Sequence, residues 1–92
     1  MKKTQIRFAK VGKNQLQQLL DLNIGRHVIE YDQVIAVKKI LKLEGKDIND
    51  LRRVRNTIVR DLHNHEEEIY WNTISGVTAV IDDEIWKKGG AV

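Results

Sequence analysis

The chain has no cysteine and no proline, a single serine, and aromatic residues at only 5% of its 92 positions. Each absence excludes something. Without cysteine there is no disulfide framework, no thiolate nucleophile and no zinc site of the Cys-rich kind. With no proline, no low-complexity run and no internal repeat, nothing marks a linker, so one domain over 1–92 is expected. No apolar run reaches the roughly 18 residues needed to span a bilayer, and no membrane partner is expected. The opening MKKTQIRF carries two lysines but no apolar block behind them, which argues against a secretory signal and for a cytoplasmic protein. Catalytic signatures are missing too: there is no Gly-rich phosphate loop and no G-x-S-x-G, and Ser75 is explained as a turn residue by its neighbour Gly76. The expectation is a non-enzyme with no cofactor.

What the chain does have is charge, and the charge is unevenly placed. Apolar residues make up 41% and charged residues 32% of the chain, which reads as a soluble globular domain with one modest core. The formal charge of +3 conceals an asymmetry: residues 1–60 carry 14 Lys/Arg against 6 Asp/Glu, and residues 61–92 carry 2 against 7. A basic front and an acidic end point either to two different partners or to an acidic segment lying on its own basic surface.

The most informative stretch is Asp47 to Leu62. At 100° per residue, Ile48, Leu51, Val54, Ile58, Val59 and Leu62 fall within an arc of roughly 140°. Asn49, Arg52, Arg53, Asn56 and Arg60 share a separate arc of about 100°. The helix cations here are all Arg, whereas the preceding helix carries only Lys. Lysine suffices for a solvated face; the planar fork of Arg suits bidentate contact with phosphate, and Asn can read adenine. Arg55 falls inside the apolar arc, which calls for a counter-ion, with the acidic C-terminal segment as its source.

Around this helix the elements read as follows. Lys2 to Phe8 alternates, with Thr4, Ile6 and Phe8 on one side and Lys3, Gln5 and Arg7 on the other, the period of a half-buried strand. Asn14 caps a short helix over 14–22 that ends at Asn23–Ile24–Gly25. A second helix over 30–43 is apolar around half of its circumference, the mark of the most buried element. Gly45 closes it and Asp47 caps the Arg-rich helix. Beyond His63 two readings compete. Propensity and the Ser75–Gly76 pair favour a β-hairpin over 69–81. The 3,4 spacing of Tyr70, Ile74, Val77, Ile81 and Ile85, the acidic start and Lys87–Lys88–Gly89 favour one helix from about 64 to 88. The fold class expected is α+β and mainly helical: an N-terminal strand, three helices, and a C-terminal hairpin or fourth helix.

Strand 2–8, short helix and longer helix are similar in order to the ribbon-helix-helix repressors. That resemblance implies a dimer whose paired strands present Lys3, Gln5 and Arg7 to the DNA major groove. The link Ala9–Lys13 is longer than the family's, and residues 45–92 have no counterpart there. Three helices followed by a hairpin look instead like a winged helix, with the Arg-rich helix as the recognition helix and the short, Gly-containing turn 43–47 completing a helix-turn-helix. An acidic wing is electrostatically wrong for phosphate. In both architectures the partner is double-stranded DNA.

His63–Asn64–His65 followed by three glutamates suggests metal ligation, but two His at i, i+2 diverge on a helix and no further ligand is set by spacing; no metal is expected. Trp71 and Trp86 are expected as core anchors of the C-terminal segment, with exposure of either marking an interface. The functional expectation is a small DNA-binding transcriptional regulator, with a homodimer among its partners. Its candidate contacts are Arg52, Arg53, Asn56, Arg60 and Asn49, together with Lys3, Gln5 and Arg7. The alternative is a protein-binding inhibitor or adaptor, of the kind small mobile elements encode, engaging a basic protein through acidic residues 61–85.

Overall fold

The computed structural model describes residues 6–90, and the described chain is four helices with no sheet: α1 (Lys13–Asp21), α2 (Tyr31–Ile40), α3 (Ile48–Leu62) and α4 (Glu68–Lys87). The α+β expectation is overturned. The competition beyond His63 is settled for the helix, since Ile69 to Ile81 lie within one uninterrupted α4. Its β-branched residues are accommodated in two ways. The Thr73 and Thr78 hydroxyls donate back to the carbonyls of Ile69 and Ile74, at 2.6 and 2.7 Å, so neither is left unsatisfied. Val77, Val80, Ile81 and Ile85 form a buried stripe, and that burial outweighs their local strand preference.

Gly76 is not a turn residue. A Cβ there would stand 2.7 Å from Cγ2 of Ile24, so glycine is what lets the α1–α2 connection press against the middle of α4. With α4 helical there is no wing, and the winged-helix reading falls with it.

The N-terminal strand fares no better. Lys3 and Gln5 lie outside the described residues. Ile6 to Gly12 is irregular chain laid along α3, where Ala9 bonds to the Thr57 hydroxyl and the Arg53 carbonyl and the Arg7 carbonyl accepts from Asn56, with no neighbouring strand. The ribbon-helix-helix expectation therefore has no strand among the described residues.

Helix starts are chemically explicit. Asp47 caps α3, its Oδ1 accepting from the Asp50 N–H at 2.8 Å. α1 and α2 instead use a glutamine at the third position: Gln15 Oε1 accepts from the Gly12 N–H and Gln33 Oε1 from the Glu30 N–H, both at 2.9 Å. Gly12, not Asn14, thus opens α1. The same two amides also donate to distant carbonyls, Gln15 to Ile40 and Gln33 to Leu22, tying α1 and α2 together. α2 is closed by Lys42, left-handed at φ 52°, and not by Gly45, which takes φ +82° further along the α2–α3 connection.

The core lies between α3 and α4, with α1 and α2 packed on α4. α3 buries Leu51, Val54, Thr57, Ile58 and Leu62. α2 buries only Val37, so it is not the most buried helix; its wide apolar arc is shared among α1, α4 and solvent. α2 and α3, though joined by a short turn, each take α4 as main partner instead of each other. Nor do the tryptophans anchor the core: Trp71 is 50% and Trp86 70% exposed.

Candidate functional site

The segregation of α3 into two faces is realised. Leu51, Val54, Ile58 and Leu62 are buried, while Asn49, Arg52 and Arg60 are exposed and Arg53 and Asn56 half-buried. What the helix alone does not disclose is the company this polar face keeps. The segment 6–12 returns across it and is held at Arg7, Phe8 and Ala9. The Ala9 N–H donates to Thr57 Oγ1 at 2.8 Å, and the Thr57 hydroxyl has the Ala9 and Arg53 carbonyl oxygens within reach, each at 2.9 Å. Asn56 Nδ2 donates to the Arg7 carbonyl at 3.3 Å. The guanidinium of Arg60 lies 4.1 Å above the centre of the Phe8 ring, a cation–π contact.

These contacts divide the polar face in two. On one side, Ile6, Arg7, Asn49, Arg52, Arg53 and Asn56 line a groove of about 510 Å³. On the other, Arg60 lies with Phe8, Arg55, Val59 and His63 around a smaller cleft of about 270 Å³, and Ile6 and Asn56 border both. Of the residues singled out in the sequence, the structure thus brings together Arg7, Asn49, Arg52, Arg53 and Asn56, and sets Arg60 apart. Thr57, which holds the arrangement in place, was not foreseen. Spacing does not mark it: at 100° per residue Thr57 falls in the gap between the apolar and polar arcs, beside Arg53.

The groove is rich in arginine, and Arg53 in it is paired with a carboxylate of its own helix. Arg53 Nη1 donates to Asp50 Oδ1 at 2.9 Å, and the two side chains are 36% and 48% exposed. An ion pair so open to water contributes about 0–1 kcal/mol, so the guanidinium can be redirected to a phosphate at little cost. Arg60 is paired with Asp61 at 2.7 Å. Arg55 has the expected acidic partner from the C-terminal segment, Asp82 at 2.6 Å. The pair is partly exposed, not buried.

The acidic segment is largely internal counter-charge. Besides Asp82, Glu84 pairs with Lys38 at 2.9 Å. Asp83 pairs with Lys87 at 3.0 Å and holds its ammonium above the usual lysine range by hydrogen bonding and charge. Among the described residues no three His, Asp or Glu side chains gather as a metal site. His63 caps the end of α3, and the His65 ring stacks on Tyr70 at 3.9 Å.

No helix among the described residues is long and apolar enough to cross a membrane. Compared with known protein families, with curated proteins and with solved structures, the chain matches none.

Proposed function

We propose that the groove between the N-terminal segment and α3 binds the sugar–phosphate backbone of double-stranded DNA, and that the protein is a small DNA-binding regulator. The observation that supports this most is the arrival of Arg7, from 45 positions upstream of Arg52, in one groove with Arg52 and Arg53. Three guanidinium forks on two chain segments form a cationic trough instead of a single solvated helix face. Such a trough neutralises successive phosphates, and the release of their counter-ions supplies salt-dependent affinity.

Two asparagines in the same trough add the means to read base edges. Asn56 already spends one N–H on the Arg7 carbonyl, so its amide orientation is set by the fold. Asn49, exposed in the first turn of α3, is better placed to reach outward. Arg60 and Phe8 act by pinning the N-terminal segment beside the trough. The alternative, a basic protein partner for residues 61–85, is disfavoured because Asp82 and Glu84 already neutralise Arg55 and Lys38.

The test is fluorescence anisotropy of a labelled random duplex titrated with protein at several salt concentrations. Affinity should fall linearly in log–log coordinates, with a slope of about −1 per phosphate neutralised. Binding that is absent at low salt, or insensitive to salt, overturns the proposal.

A further inference from the structure

Thr57 spends its hydroxyl on a distant segment. A threonine inside a helix is satisfied by donating to the carbonyl four residues back, and the Arg53 carbonyl stands 2.9 Å from Thr57 Oγ1. The same oxygen also accepts from the Ala9 N–H at 2.8 Å and lies 2.9 Å from the Ala9 carbonyl. Both backbone groups of a residue 48 positions upstream thus meet one side chain. Little else holds that segment down. Of residues 6–12 only Ala9 and Val11 are half-buried, while Ile6, Arg7, Phe8, Lys10 and Gly12 are exposed. The other ties are the Asn56 amide on the Arg7 carbonyl, at 3.3 Å, and Arg60 over Phe8. Without the Thr57 hydroxyl the Ala9 N–H keeps only the Arg53 carbonyl, at 3.4 Å. Loss of one such buried hydrogen bond shifts the balance between a closed and an open segment by about tenfold or more.

Two residues of chain span at most about 7 Å, so fixing Ala9 confines Arg7. Thr57 is itself wholly buried and cannot touch a duplex, so any influence it has on binding passes through the segment it holds. We propose that Thr57 is a positioning residue of the DNA interface: its hydroxyl clasps residues 6–12 onto α3 and so delivers Arg7 to the trough beside Arg52 and Arg53. Closure of the segment and DNA binding are then coupled. Duplex binds the closed chain more tightly by the worth of the Arg7 phosphate contact, and by linkage bound duplex stabilises the closed segment by the same factor. Asn56 offers no equivalent test, because it lines the trough itself. This role rests on the trough binding duplex DNA, and the experiment separates the two.

Anisotropy titrations of a labelled random duplex at several salt concentrations compare the parent with Arg7→Ala, Thr57→Val, Thr57→Ser and the Arg7→Ala/Thr57→Val double variant. Thr57→Val removes no charge, yet the slope of log K against log salt should shrink by about one unit, as for Arg7→Ala. The double variant should lose no more slope than Arg7→Ala alone. Thr57→Ser, which keeps the hydroxyl, should bind with the parent's slope. A purely structural role would lower the folded fraction and leave the slope unchanged. A second measurement needs no variant. Saturating duplex should slow hydrogen exchange at the parent's Ala9 amide by the factor by which Arg7→Ala weakens binding at the same salt. A parental slope in Thr57→Val, additive losses in the double variant, a Thr57→Ser slope as low as that of Thr57→Val, or Ala9 exchange indifferent to duplex overturns the proposal while leaving the trough in place. A parent that fails to bind duplex, or binds with a slope indifferent to Arg7→Ala, overturns the trough as the DNA contact and this role with it.

Discussion

Ala9 and Thr57, 48 positions apart, exchange hydrogen bonds: the Ala9 N–H donates to Thr57 Oγ1 at 2.8 Å, and the Thr57 oxygen lies 2.9 Å from the Ala9 carbonyl. Thr57 is fully buried, and its shape is matched by valine. Thr57→Val should therefore fold but lose about 1–3 kcal/mol, the cost of leaving partly buried polar groups without partners. Chemical denaturation measures that loss. Hydrogen exchange at the Ala9 amide should accelerate by more than the global destabilisation accounts for. Unchanged protection of that amide would show that the clasp does not hold the segment.

The trough makes a graded prediction. Arg7→Ala and Arg52→Ala should each leave the thermal midpoint nearly unchanged, since exposed substitutions stay within about 0.5 kcal/mol; Arg53→Ala, half-buried and paired with Asp50, should cost up to about 1 kcal/mol. Each should reduce the salt slope of DNA binding by about one unit. Arg60→Ala should act differently, because Arg60 lies outside the trough over Phe8. It should loosen the N-terminal segment by about 0.5–1 kcal/mol with a smaller change in slope. A folded triple variant of Arg7, Arg52 and Arg53 that binds duplex like the parent would eliminate the trough as the contact surface.

Asn49→Ala should leave the salt slope intact, since the residue carries no charge. If its amide reads a base, discrimination at one position of the preferred site should fall by about 1–3 kcal/mol. Parallel selection of binding sites by the parent and the variant reads this directly. An identical site preference assigns Asn49 to the backbone or to solvent.

Gly76→Ala should lower the thermal midpoint, against the usual sign for a helical glycine. Helix propensity favours the alanine by about 1 kcal/mol. The new Cβ would meet Cγ2 of Ile24 at 2.7 Å, and overpacking costs about 1–3 kcal/mol. Ile24 is 3% exposed and has little room to withdraw. A higher midpoint in the variant would mean that the α1–α2 connection yields more easily than its burial implies.

Leu51→Ala and Ile58→Ala should each cost about 2–5 kcal/mol, because both side chains are wholly buried between α3 and α4. In a domain of this size that is much of the available margin. Thermal melts of both variants within a couple of degrees of the parent would show that this seam is not the core.

By itself the sequence determined what is local and periodic. The two faces of α3, the Asp47 cap, the ends of the first three helices to within a few residues, and the demand of Arg55 for an acidic counter-ion all follow from spacing along one helix. Tertiary structure decided whatever depends on two distant segments meeting. Residues 69–81 have strand-like composition and a turn-like Ser75–Gly76 pair, yet are helical because Ile24 packs onto Gly76 and because Val77, Ile81 and Ile85 have α3 to bury against. The N-terminal segment alternates like a strand, but Thr57 and Asn56 hold Ala9 and the Arg7 carbonyl against α3. Trp71 and Trp86 looked like core residues by type, and only the packing of α1, α2 and α3 onto the opposite face of α4 left them outside. The same holds for the trough. Arg52 and Arg53 could be paired from the sequence, but Arg7 joins them, and Arg60 is parted from them, through contacts that no periodicity encodes.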